Sequence, residues 1–366
     1  MTEPSPDKIQ ITNCHIHLFT ADHTPENFPF AWAKLFRSSP WMILFLSKMA
    51  RLIGQEELGD TLHRLYQFQQ QGEQPTQAKM LEDVAKHYPS DTRFVALPMD
   101  MRGIGFGDVP VPLKDQHDEL ARLRDNPPER GTVIPFATVN PLVPGSVAEC
   151  KRALQELKFE GLKIYPRMGF PPDHPALMEE IYPLVSELNL PVMTHCSRGG
   201  VQGRGMVPAT GDRFTRPVAY RDVLKRFGNM RVCLAHFGGQ TDWEDYVKAR
   251  RTRSGENWML QIREMIESGA YPNLWTDISY TMFHFDSFAP VLKLLLMGDD
   301  DESRRLRART LFGSDFYMTR QEELSERAVC MRLREHLGED LFRQIAETNP
   351  DVWLTGQGDD KSLWTR

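Results

Sequence analysis

The sequence predicts an α/β protein: a (β/α)8 TIM barrel forming a single domain over residues 1–366, with a helical insertion after strand one. Three observations lead there. From about residue 75 onward, short apolar runs alternate with stretches of helical periodicity, the pattern of a parallel sheet covered by helices. With the N-terminal run included there are eight such strands, the number that closes a barrel. The competing open, doubly wound sheet usually carries a Gly-rich phosphate turn after its first strand. This chain carries His15-Ile16-His17 there instead.

A polar tail, residues 1–8, precedes strand 9–18. On a strand alternate side chains share a face, so His15 and His17 point the same way. Residues 20–75 are the insertion, rich in Phe28, Phe30, Trp32, Phe36, Trp41 and Phe45. Its segment 41–53 has apolar residues at helical spacing and predicts an amphipathic helix. The insertion follows strand one, so it is expected to cap the catalytic face and make the pocket partly apolar. Residues 67–77 read as a Gln-rich loop or helix end. The rhythm then runs helix 77–88, strand 93–97; helix 115–125, strand 133–139; helix 147–157, strand 161–165; helix 175–188, strand 191–195. It continues with helix 218–227, strand 231–236; helix 258–268, strand 273–278; helix 288–297, strand 310–315. The charged stretch 299–309 reads as a solvated helix end and linker, and helices 322–336 and 340–347 close the chain.

Composition narrows the class of protein. The chain is 40% hydrophobic and 26% charged, with a net charge of −6, and no long basic run suggests a nucleic-acid partner. Five cysteines, Cys14, Cys150, Cys196, Cys233 and Cys330, are scattered without CxxC spacing, which argues for a reducing compartment. The start, MTEPSPDK, has no signal-peptide layout, and the longest apolar run, 41–46, is too short for a transmembrane segment. The expectation is a soluble cytoplasmic protein acting on a small-molecule substrate, with a homo-oligomer left open.

In such a barrel the chemistry sits at the C-terminal ends of the strands. Those ends carry His15 and His17 on strand one, Lys163 on strand four, His195 on five, His236 on six and Asp315 on eight. Any one of them has a bland reading: His236 as a satisfied core histidine, Asp315 as a cap for a helix starting near Thr319. Four histidines and a carboxylate at four strand ends read together as a metal site. Imidazole and carboxylate suit a divalent cation such as Zn2+, and a catalytic site leaves one position open for water.

The set resembles the amidohydrolase superfamily. The stretches Gly161-Leu-Lys-Ile-Tyr-Pro166, Pro191-Val-Met-Thr-His195, Leu234-Ala-His-Phe-Gly-Gly239 and Leu311-Phe-Gly-Ser-Asp-Phe316 resemble in particular its amidohydrolase-2 branch. That branch holds the aminocarboxymuconate-semialdehyde decarboxylase type, related aromatic-acid decarboxylases and lactone hydrolases. The resemblance covers residues 9–18 and 90–355, including Glu347-Thr-Asn-Pro350, and leaves out the insertion. It implies His15, His17, His195 and Asp315 as metal ligands, and His236 as catalytic acid/base or a ligand of a second metal. Asp315 would then also be catalytic, passing the proton of an activated water to a leaving group. Lys163 is ambiguous: the stretch around it resembles dihydroorotases, where this lysine is carbamylated and bridges two metals. The decarboxylase-like branch generally uses one metal, which puts one ion ahead of two. An unmodified Lys163 would pair with Asp315 or a substrate carboxylate.

Arg198 and Arg204 in the Gly-rich loop 197–205, and Arg167 after strand four, are candidate contacts for a substrate carboxylate. Solvated or loop-bound arginines are the plainer alternative for each. Tyr280 and His284, after strand seven, are candidate pocket residues. Cys196 should face away from His195 and reads as a buried small residue. Two activities follow: hydrolysis of an amide, lactone or related ester, and non-oxidative decarboxylation of an aromatic or unsaturated acid. A barrel that binds metal or ligand without catalysis is the third reading.

Overall fold

A computed structural model describes residues 8–28, 40–52, 55, 59, 62–63, 66, 74–248, 256–281, 285–316 and 326–364. Its strands are β1 (Thr12–Ile16), β2 (Arg93–Ala96), β3 (Thr132–Pro135), β4 (Ala137–Val139), β5 (Leu162–Ile164), β6 (Val192–Thr194), β7 (Val232–Leu234), β8 (Leu274–Asp277) and β9 (Thr310–Leu311). All pair in parallel, as β1-β2-β3 and as β4 through β9 in sequence order. Each of the eight expected strands is present, the third divided at Phe136. The division has a local cause. Pro135 has no N–H to give to a ladder. At Phe136 the chain changes partners: the Phe136 amide bonds to Ala96 O (3.1 Å), the next amide to Gly161 O (2.8 Å). The other seam, between the end of β9 and β1, is bridged by Cys14 N to Phe312 O and Asp315 N to His15 O, both 2.9 Å. The α/β barrel expected from the sequence is therefore the observed architecture.

The core has an outer and an inner part. The larger lies between strands and helices and includes Ile16, Phe94, Leu162, Leu234 and Phe312. The smaller fills the barrel below the site with Cys14, Val95, Met193, Cys233, Trp275 and Leu311. Trp353 on the helix Asn349–Thr355 closes it from beneath, its ring 5.5 Å from that of Phe136. Cys196 belongs to the outer core, opposite His195, and all five cysteines are buried and outside any disulfide among the described residues.

Several elements depart from expectation. The stretch 299–309 is a helix, Asp301–Ala308, and not a solvated linker. Asp300 caps it by accepting from the Ser303 amide at 2.8 Å. Arg305 and Arg309 are buried because backbone carbonyls and a carboxylate satisfy them. Arg305 donates to Leu363 O and Glu267 O, and Arg309 to Pro272 O and both oxygens of Asp359. Helices Pro208–Thr215, Gln240–Val247 and Asn349–Thr355 were not legible as such. In the insertion, helix Pro40–Leu52 forms as expected. Its Ile43 and Ala50 pack with Leu62 in a small cluster separate from the main core, while Trp41 (66% exposed), Phe45 and Leu52 face solvent. Phe30, Trp32, Phe36, residues 67–73, 319 and His284 lie outside the described residues. Among those described, no helix is long and apolar enough to cross a membrane.

A charged network ties two of the outer helices, Leu113–Asp125 and Ser146–Gln155. Glu149 accepts from His117 Nδ1 (2.9 Å) and from Arg152 (2.8 Å). Burial raises its pKa, but these hydrogen bonds outweigh burial and hold it down at about 2. A depressed carboxylate stabilises above its unfolded pKa, about 4.5, and the gain is lost as pH falls towards 2. Glu149→Gln should therefore cost about 1 kcal/mol at neutral pH after solvent screening, and nothing near pH 2. Urea melts across that window would show the two curves converging; parallel curves would refute the assignment.

Candidate metal centre

The strands set down the polar residues at one end of the barrel. His15 lies in β1 and His17 just after it, where the register against β2 shifts between Asn13 and Ile16. Lys163 is the middle residue of β5, and His195 follows β6. His236 requires more of the backbone. Cys233 and Ala235 belong to the inner core and Leu234 to the outer, so simple alternation would turn residue 236 outward. Instead His236, Phe237 and Gly238 all adopt positive φ (69°, 42° and 85°), and the imidazole faces the site. Asp315 also has a positive φ, 53°. Backbone strain gathered at a polar cluster is typical of functional sites.

The side chains converge. One nitrogen each of His15 and His236 and one oxygen of Asp315 lie within 4.8 Å of one another. His17 Nε2 is 3.7 Å from Asp315 Oδ1, and His195 Nδ1 is 3.2 Å from His236 Nε2. The compact trio thus contains His236, with His17 and His195 flanking it through Asp315 and His236. All five are buried.

Hydrogen bonds at the back of each ring set the direction of its lone pair. His17 donates through Nδ1 to Leu97 O (2.7 Å) and His195 through Nε2 to Gly199 O (3.1 Å). His15 Nδ1 meets Asp277 Oδ2 (2.8 Å), and His236 Nδ1 meets Ser279 O (3.2 Å). These partners leave an acceptor nitrogen on every ring turned towards the cluster. His15 Nε2 is buried with no hydrogen-bond partner, and His195 and His236 set two acceptor nitrogens against each other. Only a cation or a proton relieves that arrangement, so the residues fit a divalent metal.

The electrostatics agree. Burial, with His15 and Lys163 nearby, lowers His17 well below the usual imidazole range. Burial with His236 nearby does the same to His195, and burial with His15 brings His236 to about 3. Neutral imidazole is the form that binds metal. Burial raises Asp315, with His15 and Lys163 opposing. Burial lowers Lys163 to about 8; its Nζ is buried without a hydrogen-bond partner.

The expected substrate contacts sit differently. Arg167 is buried and paired with Asp212 and Gln202. Arg198 donates to Asp242 (3.0 Å) and Glu256 O (2.7 Å) and lies over the Trp258 ring. Both guanidinium groups thus have protein partners, the plainer of the two readings. The side chain of Arg204 is exposed, while its amide bonds to Ile104 O. Tyr280, half-buried, has positive φ in the turn after β8. The Gly-rich loop folds back over the site: Tyr165 stacks on His195 at 4.3 Å and accepts from the Val201 amide. At Gly200 a Cβ would come within 2.3 Å of Tyr165 Oη. Asp277 and Ser279 are the residues that sequence reasoning missed. Asp277 ends β8 as His195 and His236 follow theirs, and that shared position was the signal available.

A family model described as amidohydrolase matches residues 12–352. No curated protein sequence matches. Solved structures with a similar fold include a TIM-barrel protein from Bordetella bronchiseptica (14% identity, TM-score 0.53, covering 96% of this chain and 100% of that one). They also include 5-carboxyvanillate decarboxylase from Sphingomonas paucimobilis (12%, 0.53, 95% and 99%). A third is the 5-carboxyvanillate decarboxylase of Novosphingobium aromaticivorans, complexed with manganese and a nitrobenzoic acid (14%, 0.50, 95% and 97%).

Proposed function

The chain belongs to the amidohydrolase family of metal-dependent enzymes, and on that premise we propose that it is a metal-dependent hydrolase of an amide, lactone or related ester. The observation that carries this reading is the buried cluster of His15, His236 and Asp315, whose donor atoms lie within 4.8 Å of one another, with His17 beside Asp315 and His195 beside His236. His15, His236 and Asp315 would hold one ion, with His17 and His195 beside them. Zn2+ suits these donors, and when bound it supplies Lewis acidity and lowers the pKa of a bound water. Asp315, through an oxygen not held by the ion, would take a proton from water and return it to a leaving nitrogen or oxygen. His236, neutral and with Nδ1 turned to Ser279 O, would serve the ion through Nε2 and does not protonate the substrate.

One observation favours a second reading, decarboxylation of an aromatic or unsaturated acid. The unpartnered Lys163 Nζ lies in the buried interior, 5.9 Å from the centre of the Tyr165 ring, where it would hold a substrate carboxylate. The two decarboxylases of similar fold are in keeping with it. The test is a panel of lactones, amides and aromatic acids offered to Zn2+- or Mn2+-loaded protein, following acid release and CO2. Turnover with acid release, lost to a chelator and restored by metal, is the expected result. CO2 release in its place would move the reaction to the second reading, and metal-independent turnover would remove both.

A further inference from the structure

His15 and His236 differ from the other two histidines in sharing one anchor, the segment Asp277-Ile278-Ser279 at the end of β8. We infer that Asp277 and Ser279 are positioning residues that hold both imidazoles as Nδ1–H tautomers and so turn both Nε2 lone pairs towards the metal. The inference rests on the metal reading above for its consequence, though not for its geometry.

The geometry is one-sided. Asp277 Oδ1 receives the His236 amide (2.9 Å), the Ser279 amide (3.0 Å) and the Ser279 hydroxyl. Its other oxygen, Oδ2, faces His15 Nδ1 at 2.8 Å. The Ser279 hydroxyl gives its proton to Asp277, so its lone pairs accept from the two rings, 3.1 Å from His15 Nδ1 and 3.0 Å from His236 Nδ1. Ser279 O is a second acceptor for His236 Nδ1. Each of these groups accepts from an Nδ1, and Asp277 and Ser279 are wholly buried, so water does not compete. A carboxylate behind a metal-bound histidine fixes ring orientation and raises basicity. Here one carboxylate also holds the backbone amide of the second histidine, at the point where the chain takes its left-handed turn.

The consequence for Asp277→Asn follows from the same contacts. Three donors keep the amide oxygen at the Oδ1 position, so the NH2 group replaces Oδ2 and faces His15 Nδ1. It donates there, and the His15 proton moves to Nε2, into the place a metal needs. The substitution changes a tautomer while nearly preserving shape, as an Asp-to-Asn change does behind a catalytic histidine.

The experiment compares full-length wild type, Asp277→Asn and Ser279→Ala, stripped of metal and 15N-labelled at histidine. Long-range 1H–15N correlation at pH of about 8.5, well above the ordinary imidazole pKa, reads the tautomers. Zn2+ competition against a chromophoric chelator reads affinity. Wild type should show Nδ1–H at His15 and His236. Asp277→Asn should show His15 as Nε2–H, with Zn2+ affinity lower by about 10- to 100-fold and an unchanged circular dichroism spectrum. Ser279→Ala should keep His15 as Nδ1–H and lose about tenfold or less. A His15 proton that stays on Nδ1 in Asp277→Asn, or wild-type affinity in that variant, would overturn the inference. Should Asp277→Asn not fold, a wild-type His15 protonated on Nε2 overturns it as well. If wild type binds no Zn2+, the metal reading fails by itself, and the tautomers, read on metal-free protein, still decide the positioning role.

Discussion

His15→Ala should lower affinity for Zn2+ by roughly a hundredfold or more and abolish turnover with it, an effect at or beyond that of outer partners of a metal site. Its Nε2 is the buried acceptor without a partner, and it stands between Asp277 behind and Asp315 and His236 in front. The substitution also leaves Asp277 Oδ2 without its donor, a buried charge losing one contact, which costs about 1–3 kcal/mol. Asp315→Asn, of nearly unchanged shape, is the companion that separates the two effects: it should lose activity with a smaller change in melting temperature. Competition titration and thermal melts on both variants check this. Stoichiometric metal at wild-type affinity in His15→Ala would remove His15 from the site.

Gly238→Ala should destabilise the fold by several kcal/mol, roughly 3–5, among the largest single-residue effects. At Gly238 φ is +85°, and an added Cβ would meet Met259 N at 2.4 Å and Met259 Cα at 2.8 Å. Those are backbone atoms of the helix Trp258–Glu267 and cannot turn aside as a side chain can. Gly145→Ala supplies the comparison: φ there is +80°, but nothing lies within 4 Å. It should cost only the left-handed strain, about 1–2 kcal/mol. Denaturant melts of the pair measure the steric part as the difference, and equal costs would show that the close approach does not matter. The surviving fraction of Gly238→Ala should also bind metal more weakly, since His236 is two residues away on the same turn.

The strands were legible because their side chains face protein on both sides, and a run such as Val232–Leu234 has no polar residue to blur it. His15, His17, Lys163, His195, His236 and Asp315 stood out because they break such runs at the end where a barrel does chemistry. Asp277 breaks one too, but it sits between Thr276 and Ile278, and a lone Asp at a strand end reads equally as a turn residue. Its role depends on His15, more than 260 positions earlier. Arg305 and Arg309 misled for the converse reason: charge density in 299–309 signals solvent unless the carbonyls that accept those protons are known. The left-handed turn at His236 was foreshadowed only by Gly238-Gly239, since His236 itself has no sequence mark for positive φ.

The seam between β9 and β1 bears on how the protein is made. Asn13 and Ser314 share a hydrogen bond across 301 positions, and Phe312 N reaches Ile345 O while Gln10 N reaches Glu347. During translation His15 and His17 emerge long before Asp315 and Trp353. A nascent chain released before residue 315 carries the four histidines of the site and cannot bring them around Asp315. Barrel closure and site assembly are thus the same late event, at the high sequence separation that slows folding. Metal supplied during refolding should accordingly act after the strands have collapsed, not as their template.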